Sequence, residues 1–204
     1  MGLASLSGYW PFLFLPAIIC GVAALLKINR SNGILKGKGL AITGIAVPSI
    51  IGVILAAVLP TLITHRNVIV CSSNLSGLNT ALIVYAAIEN EGIIPNADVW
   101  CDVLVSEADV SPKSFICPSS DAVEGQSSYA INRNAAGKRL RDLPADMVLL
   151  FEVSPGPRRW NPSGGPESIT TEHHRGKGCN VLFAGGSIRI VPAARIHTLR
   201  WTPD

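Results

Sequence analysis

Hydrophobic and polar positions follow three different patterns along the chain. From Tyr9 to Leu26, "YWPFLFLPAIICGVAALL" carries no charge, and from Leu40 to Ile63 "LAITGIAVPSIIGVILAAVLPTLI" carries none either. A helix needs roughly 20 apolar residues to cross a bilayer core; the second block exceeds that length and the first narrowly reaches it. Pro11, Pro16, Pro48 and Pro60 fall inside these blocks. They would break a soluble helix, but membrane helices tolerate proline where neighbouring groups satisfy the freed carbonyls. Past Ile63 the pattern turns amphipathic. Val68, Cys71, Leu75, Leu78, Leu82 and Tyr85 step by three and four, which lines one face of a helix. No strong stop separates Ile63 from Val68, so the second span is expected to run on as a stalk over 64–92. His65, Arg66 and Asn67 mark its exit from the bilayer. Glu89 and Glu91 bring charge, and Gly92 is the expected C-cap.

From Ile93 onward short apolar runs alternate with turn residues, the pattern of a small α+β head over 93–204. "DVWCDVLV" predicts a short helix with Asp98 as N-cap. "SFICP", "SSYAIN" and "MVLLFEV" predict strands, and "SPGPRRWNPSGGPES" a loop. "NVLFA" and "SIRIV" flank Gly185-Gly186, which predicts a hairpin closed by a type I′ turn with positive φ at both glycines. No helix start follows the pair, so it is not a phosphate-cradling loop.

Composition agrees with a membrane protein. Hydrophobic residues make up 48% of the 204 and charged residues only 15%. The first block fits a retained membrane helix better than a cleaved leader. A signal peptide wants a basic start and a shorter core. A lipoprotein signal wants a small residue before the cysteine, whereas Ile19 precedes Cys20. Lys27, Arg30, Lys36 and Lys38 lie between the blocks, in a loop (27–38) without an acid. Short basic loops stay cytoplasmic, so these four residues determine an expected topology with both chain ends outside. They also account for the net charge of +3: without them 13 basic residues face 14 acidic ones. That is not the footprint of a nucleic-acid binder.

The segment "ALLKINRSNGILKGKGLAITGIAV" resembles a small bacterial two-helix membrane domain, the DUF4190 type. The remainder resembles bacterial type IV pilin-like or type II secretion pseudopilin-like proteins with an H-X9-DG C-terminal region, the DUF1559 type. The residues that carry this are "IIGVILAAVLPTL", "CSSNLSGLNTALIVYAAIENEGIIP", "FICPSSD", "SSYAIN", "VLLFE", "GGPE" and "GKGCNVLFAGGSIRIV", in the family's order. The resemblance implies a membrane-anchored α+β fold with two transmembrane helices. The second would continue into a pilin-like stalk packed on a small antiparallel sheet. Three departures stand out. Ten residues separate His174 from Gly185, and glycine replaces the motif's aspartate. The chain shows no prepilin peptidase site. No acid precedes Glu89, so the early helix glutamate thought to guide pilin assembly is missing. The expectation is a pilin-like head on a permanent hairpin anchor, with polymerisation disfavoured.

Candidate chemistry is sparse. Cys20 lies in the first block. Cys71, Cys101, Cys117 and Cys179 would lie outside, where disulfides persist, and four cysteines allow three connectivities. Cys101–Cys117 is the favoured pair because both sit near the start of the head and close a short loop. His173, His174 and Cys179, with Glu167 and Glu172 upstream, include zinc-ligand types, but their spacing fits no standard cluster. A polar loop before a strand is the favoured reading, with no metal and no cofactor. Ser127 and Ser128 lack a nucleophile-elbow context, and Glu152 stands at a strand end. Arg133, Lys138, Arg139 and Arg141, then Arg158 and Arg159, read as a solvated face, with Trp160 either a contact residue or packed beneath its loop. The expected function is non-enzymatic: a structural or assembly role at the bacterial envelope, alternatively a binding or sensing module. Membrane lipid and other envelope or pilin-like proteins are the expected partners.

Overall fold

The computed structural model describes residues 10–31, 35–88, 91–154, 160–174, 176 and 178–204. The chain divides into two units at Ile63/Thr64, so the stalk stretch belongs with the head. Helix α1 spans Trp10–Arg30 and helix α2 spans Lys38–Ile88, unbroken through Pro48 and Pro60. Among the described residues α2 is the one helix long and apolar enough to cross a membrane. The basic residues sit differently from the expected loop. Lys27 and Arg30 occupy the last turn of α1, where cations suit the helix dipole, and Lys38 opens α2.

Within 1–63 the two helices meet at small residues. A Cβ on Gly21 would stand 2.5 Å from Ile45 Cγ1 and 3.3 Å from the Ala41 carbonyl, so α1 and α2 approach at the glycine. Such small residues let helix backbones come close. Ala41 is buried, whereas Leu40, Ile19 and Val53 are 81%, 61% and 71% exposed. Hydroxyls in α2 bond within the helix, as Ser49 Oγ does to the Ile45 carbonyl at 2.8 Å.

Within 64–204 the amphipathic reading of α2 holds. Cys71, Leu75, Leu78 and Leu82 are fully buried, and Val68 and Tyr85 half-buried. The helix ends as Glu91 and Gly92 take positive φ and the Gly92 N–H returns to the Ala86 carbonyl at 2.6 Å. Helix α3 spans Trp100–Ser106, with Val99 and not Asp98 at its N-cap position, one residue later than expected. Asp98 does not cap it. Instead Asn161 Oδ1, from a distant loop, accepts the Cys101 N–H at 2.6 Å.

Strands β1 (Tyr129–Asn132), β2 (Val148–Glu152), β3 (Ser163–Gly164), β4 (Cys179–Phe183) and β5 (Ile188–Val191) form one sheet in the order β3-β1-β2-β4-β5. The sheet is mixed, not antiparallel as expected, because β3 runs parallel to β1. The short β3 lies within the Pro- and Gly-rich loop and reaches the free edge of β1 through Ile131 N–H to Pro162 O and Arg133 N–H to Gly164 O. "SFICP" is no strand: Pro112 starts a 3-10 turn that ends at Phe115.

Both sheet faces are covered, which explains the unbroken burial of β1, β2 and β4. On one face Tyr129, Ile131, Leu150 and Leu182 pack with the α2 stripe and with Trp100 and Leu104 of α3. On the other, Ala130, Phe151, Val181 and Val191 pack under the C-terminal segment. There Trp201 meets Phe151 edge-on with centroids 4.9 Å apart. Asn132 Nδ2 donates to the carbonyls of Val148 and Trp201, tying the tail to the sheet.

The β4–β5 turn forms where expected but with other geometry. Only Gly186 has positive φ, +82°. Gly186 N–H donates to Phe183 O and Phe183 N–H to Ser187 O, a wider loop than a two-residue type I′ turn. Gly185 is needed for space: a Cβ there would lie 3.0 Å from Ala145 Cβ and from its carbonyl oxygen. An aspartate at this position would press on the 144–146 backbone.

Candidate functional site

Alternation along β2 and β4 sends Glu152 and Asn180 to the α2 face of the sheet. Both are fully buried, and His174 from the 3-10 turn Glu172–His174 joins them, only 2% exposed. Glu152 Oε2 accepts the Asn180 N–H at 2.8 Å, and Oε1 accepts Asn180 Nδ2 at 3.1 Å. His174 Nε2 stands 2.9 Å from Glu152 Oε1. Asn180 Nδ2 stands 3.1 Å from the same Nε2, so one ring nitrogen, one amide and one carboxylate converge. His174 Nδ1 and Asn180 Oδ1 are buried without a hydrogen-bond partner. Each such atom costs about 1–3 kcal/mol, so the site holds polar capacity that the fold does not use.

Beside this cluster lies a disulfide, Cys71–Cys117, with Cα atoms 5.2 Å apart. The expected Cys101–Cys117 pair is therefore corrected. The α2 stripe carries Cys71 against the segment after Phe115, whereas Cys101 turns from α3 into the core and remains a buried thiol. Bridging follows Cα and Cβ placement, not nearness in sequence. The bridge closes a separation of 46 residues. Replacing both cysteines by alanine is expected to lower head stability by about 2–4 kcal/mol, read as the shift of a denaturant midpoint. An unchanged midpoint would refute that constraint.

The sequence cluster His173, His174 and Cys179 does not stay together. His173 Nε2 meets the Val153 carbonyl at 2.8 Å. Cys179 faces the opposite core with Phe151 and Val181. Only His174 belongs to a group of potential ligands, with Cys71, Cys117 and Glu152, all four buried and with donor atoms within 4.8 Å of one another. The sequence hid this group because its members come from four separate segments.

Burial, reinforced by the Glu152 charge, pushes the Cys179 thiol from the ordinary 9.0 up to about 12. The Cys101 thiol and the Tyr129 phenol are likewise held protonated, chiefly by burial. Because the unfolded thiol ionises first, Cys179 leaves stability unaffected below pH 9 and lowers it as pH rises from 9 towards 12. Unfolding midpoints across that range should fall less steeply in Cys179→Ala. Equal slopes would argue against the shift.

The other candidates are structural. Ser127 Oγ donates to Tyr129 O, and Ser128 Oγ accepts the Cys117 N–H and bonds Ser120 Oγ. Trp160 packs edge-on against Phe115 at 5.0 Å and donates Nε1–H to Asp102. The basic stretch is interleaved with acids. Arg133 pairs with Glu167, Arg139 with Glu91 and Arg141 with Asp142. Arg158, Arg159 and Glu89 lie outside the described residues. At the end of the head bearing Gly185, a groove of about 580 Å³ is lined by Ile83, Ala86, Ala87, Leu140, Leu143 and Gly185, among others. Comparison with family models, curated proteins and solved structures finds no match to this chain.

Proposed function

We propose that this is a two-span bacterial envelope protein, without enzymatic activity, whose pilin- or pseudopilin-like head serves a structural or assembly role outside the cytoplasm. One observation carries the reading. A single helix, α2, holds an apolar, unburied stretch fit for lipid and, further along, the stripe that fills the head's core. An anchor continuous with a domain core suits a head fixed at a membrane surface. The acid-free basic residues Lys27, Arg30, Lys36 and Lys38 support the cytoplasmic assignment of the inter-helix connection. The resemblance of the motifs from "IIGVILAAVLPTL" to "GKGCNVLFAGGSIRIV" to those of pilin-like proteins supports the role.

The groove beside Gly185 favours a second reading, a binding or sensing module on the same scaffold. Reporter fusions after Asn32 and after Asp204 test the topology. They should report opposite sides of the membrane, and the same side for both would end the two-span reading. Isolation of the native complex in mild detergent separates the roles. Stoichiometric envelope or pilin-like partners favour assembly. A partner lost when Ala87→Arg blocks the groove favours the binding module.

A further inference from the structure

Cys71, Cys117, Glu152 and His174 form a donor set that neither proposed role uses. We propose that these four side chains form a redox-gated site for one tetrahedral zinc-type cation, open when the Cys71–Cys117 disulfide is reduced and closed when it forms. Two sulfurs, one imidazole nitrogen and one carboxylate oxygen are a zinc ligand set. Their donor atoms already lie within 4.8 Å of one another. A tetrahedral zinc spaces two thiolates about 3.8 Å apart and a nitrogen and an oxygen about 3.3 Å apart. The His174–Glu152 contact at 2.9 Å would open only slightly.

The surroundings fit. Metal-bound carboxylates are themselves held by hydrogen bonds, and here Asn180 grips both oxygens of Glu152 through its backbone N–H and Nδ2. Among the described residues, Glu152 pairs with no lysine or arginine, and its neighbours are the His174 imidazole and the Asn180 amide. A buried carboxylate beside two cysteines gains from a cation that satisfies all of them at once. The ligands come from α2, the segment after Phe115, β2 and the 3-10 turn Glu172–His174, so only the folded head assembles them.

The redox step balances with a dithiol as reductant. The dithiol gives up two hydrogens and closes to its own disulfide, and the Cys71–Cys117 S–S bond takes two electrons and breaks. Both cysteines then bind as thiolates, so one zinc ion entering releases two protons to solvent. Reoxidation by a disulfide reverses each step and expels the ion. The inference stands apart from the envelope role and does not depend on which side of the membrane the head occupies.

The test uses the full-length chain in detergent micelles, with Cys20→Ala, Cys101→Ala and Cys179→Ala removing the other thiols. Protein reduced with a dithiol and desalted anaerobically is titrated with cobalt(II). The expected result is the visible absorption of tetrahedral cobalt with thiolate-to-metal charge transfer, saturating at one ion per chain, bleached by zinc and absent from oxidised protein. His174→Gln and Glu152→Gln should each weaken cobalt binding by roughly 10-fold or more. X-ray absorption of the zinc-loaded chain needs no ligand variant and should report two sulfur and two nitrogen or oxygen neighbours. No tetrahedral spectrum after reduction overturns the proposal. So does equal binding by folded His174→Gln and Glu152→Gln, or a shell of any other composition.

Discussion

Glu152→Ala should lower the stability of the head by about 3–5 kcal/mol, the cost of leaving several buried donors unpaired at about 1–3 kcal/mol each. The carboxylate is fully buried and accepts two hydrogen bonds from Asn180 besides its contact with His174. Alanine leaves the Asn180 donors and the imidazole without that acceptor in a fully buried site. Denaturant unfolding of the detergent-solubilised chain, followed by tryptophan fluorescence, measures the shift. Glu167→Ala is the control. Its carboxylate pairs with Arg133 at the exposed surface, where side chains of both partners are more than half accessible, and its removal should leave the midpoint where it was. Equal behaviour of the two variants would mean that the Glu152 cluster does not hold the sheet to its surroundings.

Trp100→Ala should cost a similar amount, about 3–5 kcal/mol, for a different reason. The indole is fully buried at the start of α3 and meets Phe115 edge-on at 5.5 Å. Its Nε1–H donates to the Pro162 carbonyl at 3.0 Å. The same loop supplies Asn161 Oδ1 as the cap of α3 and the parallel partner of β1. Loss of the indole therefore opens a cavity and frees the segment that starts α3 and edges the sheet. Trp160→Ala, at a partly exposed ring, should cost less than half as much, by the same unfolding measurement. A Trp100→Ala midpoint no lower than that of Trp160→Ala would show that the loop is held by other contacts.

Much of the fold was legible because it obeys local rules. The stripe from Val68 to Tyr85 and the strands at Tyr129–Asn132, Val148–Glu152, Cys179–Phe183 and Ile188–Val191 follow their hydrophobic periods. Where structure and expectation differ, a distant partner or a nearby proline decides the local geometry. Asp98 is a good cap by type, but Asn161 from the loop caps α3. "SFICP" is apolar enough for a strand, but Pro112 opens a 3-10 turn and Phe115 enters the core. The Gly-Gly pair reads as a two-residue turn, but the turn is wider, and Gly185 N–H donates to the Ala145 carbonyl at 3.0 Å.

The candidate site was less legible than the fold. In the sequence His174 and Glu152 lie far apart, and His174 reads as a neighbour of His173 and Cys179. Strand alternation turns Cys179 to one face and Asn180 to the other, so adjacency in the chain becomes separation across the sheet. Cys71 and Cys117 could be recognised as a pair only once α2 was laid against the segment following Phe115.

Local chemistry, carried by the sequence alone, determined the apolar charge-free blocks, the basic residues between them, the helix period of the stalk and the strands of the head. Such properties depend on neighbours within a few residues, which the chain order preserves. The tertiary structure decided which cysteines pair, what caps α3, where the parallel edge strand docks and which four side chains surround one buried point. Those outcomes depend on distances between segments tens of residues apart, and only packing of the two cores around the sheet fixes them.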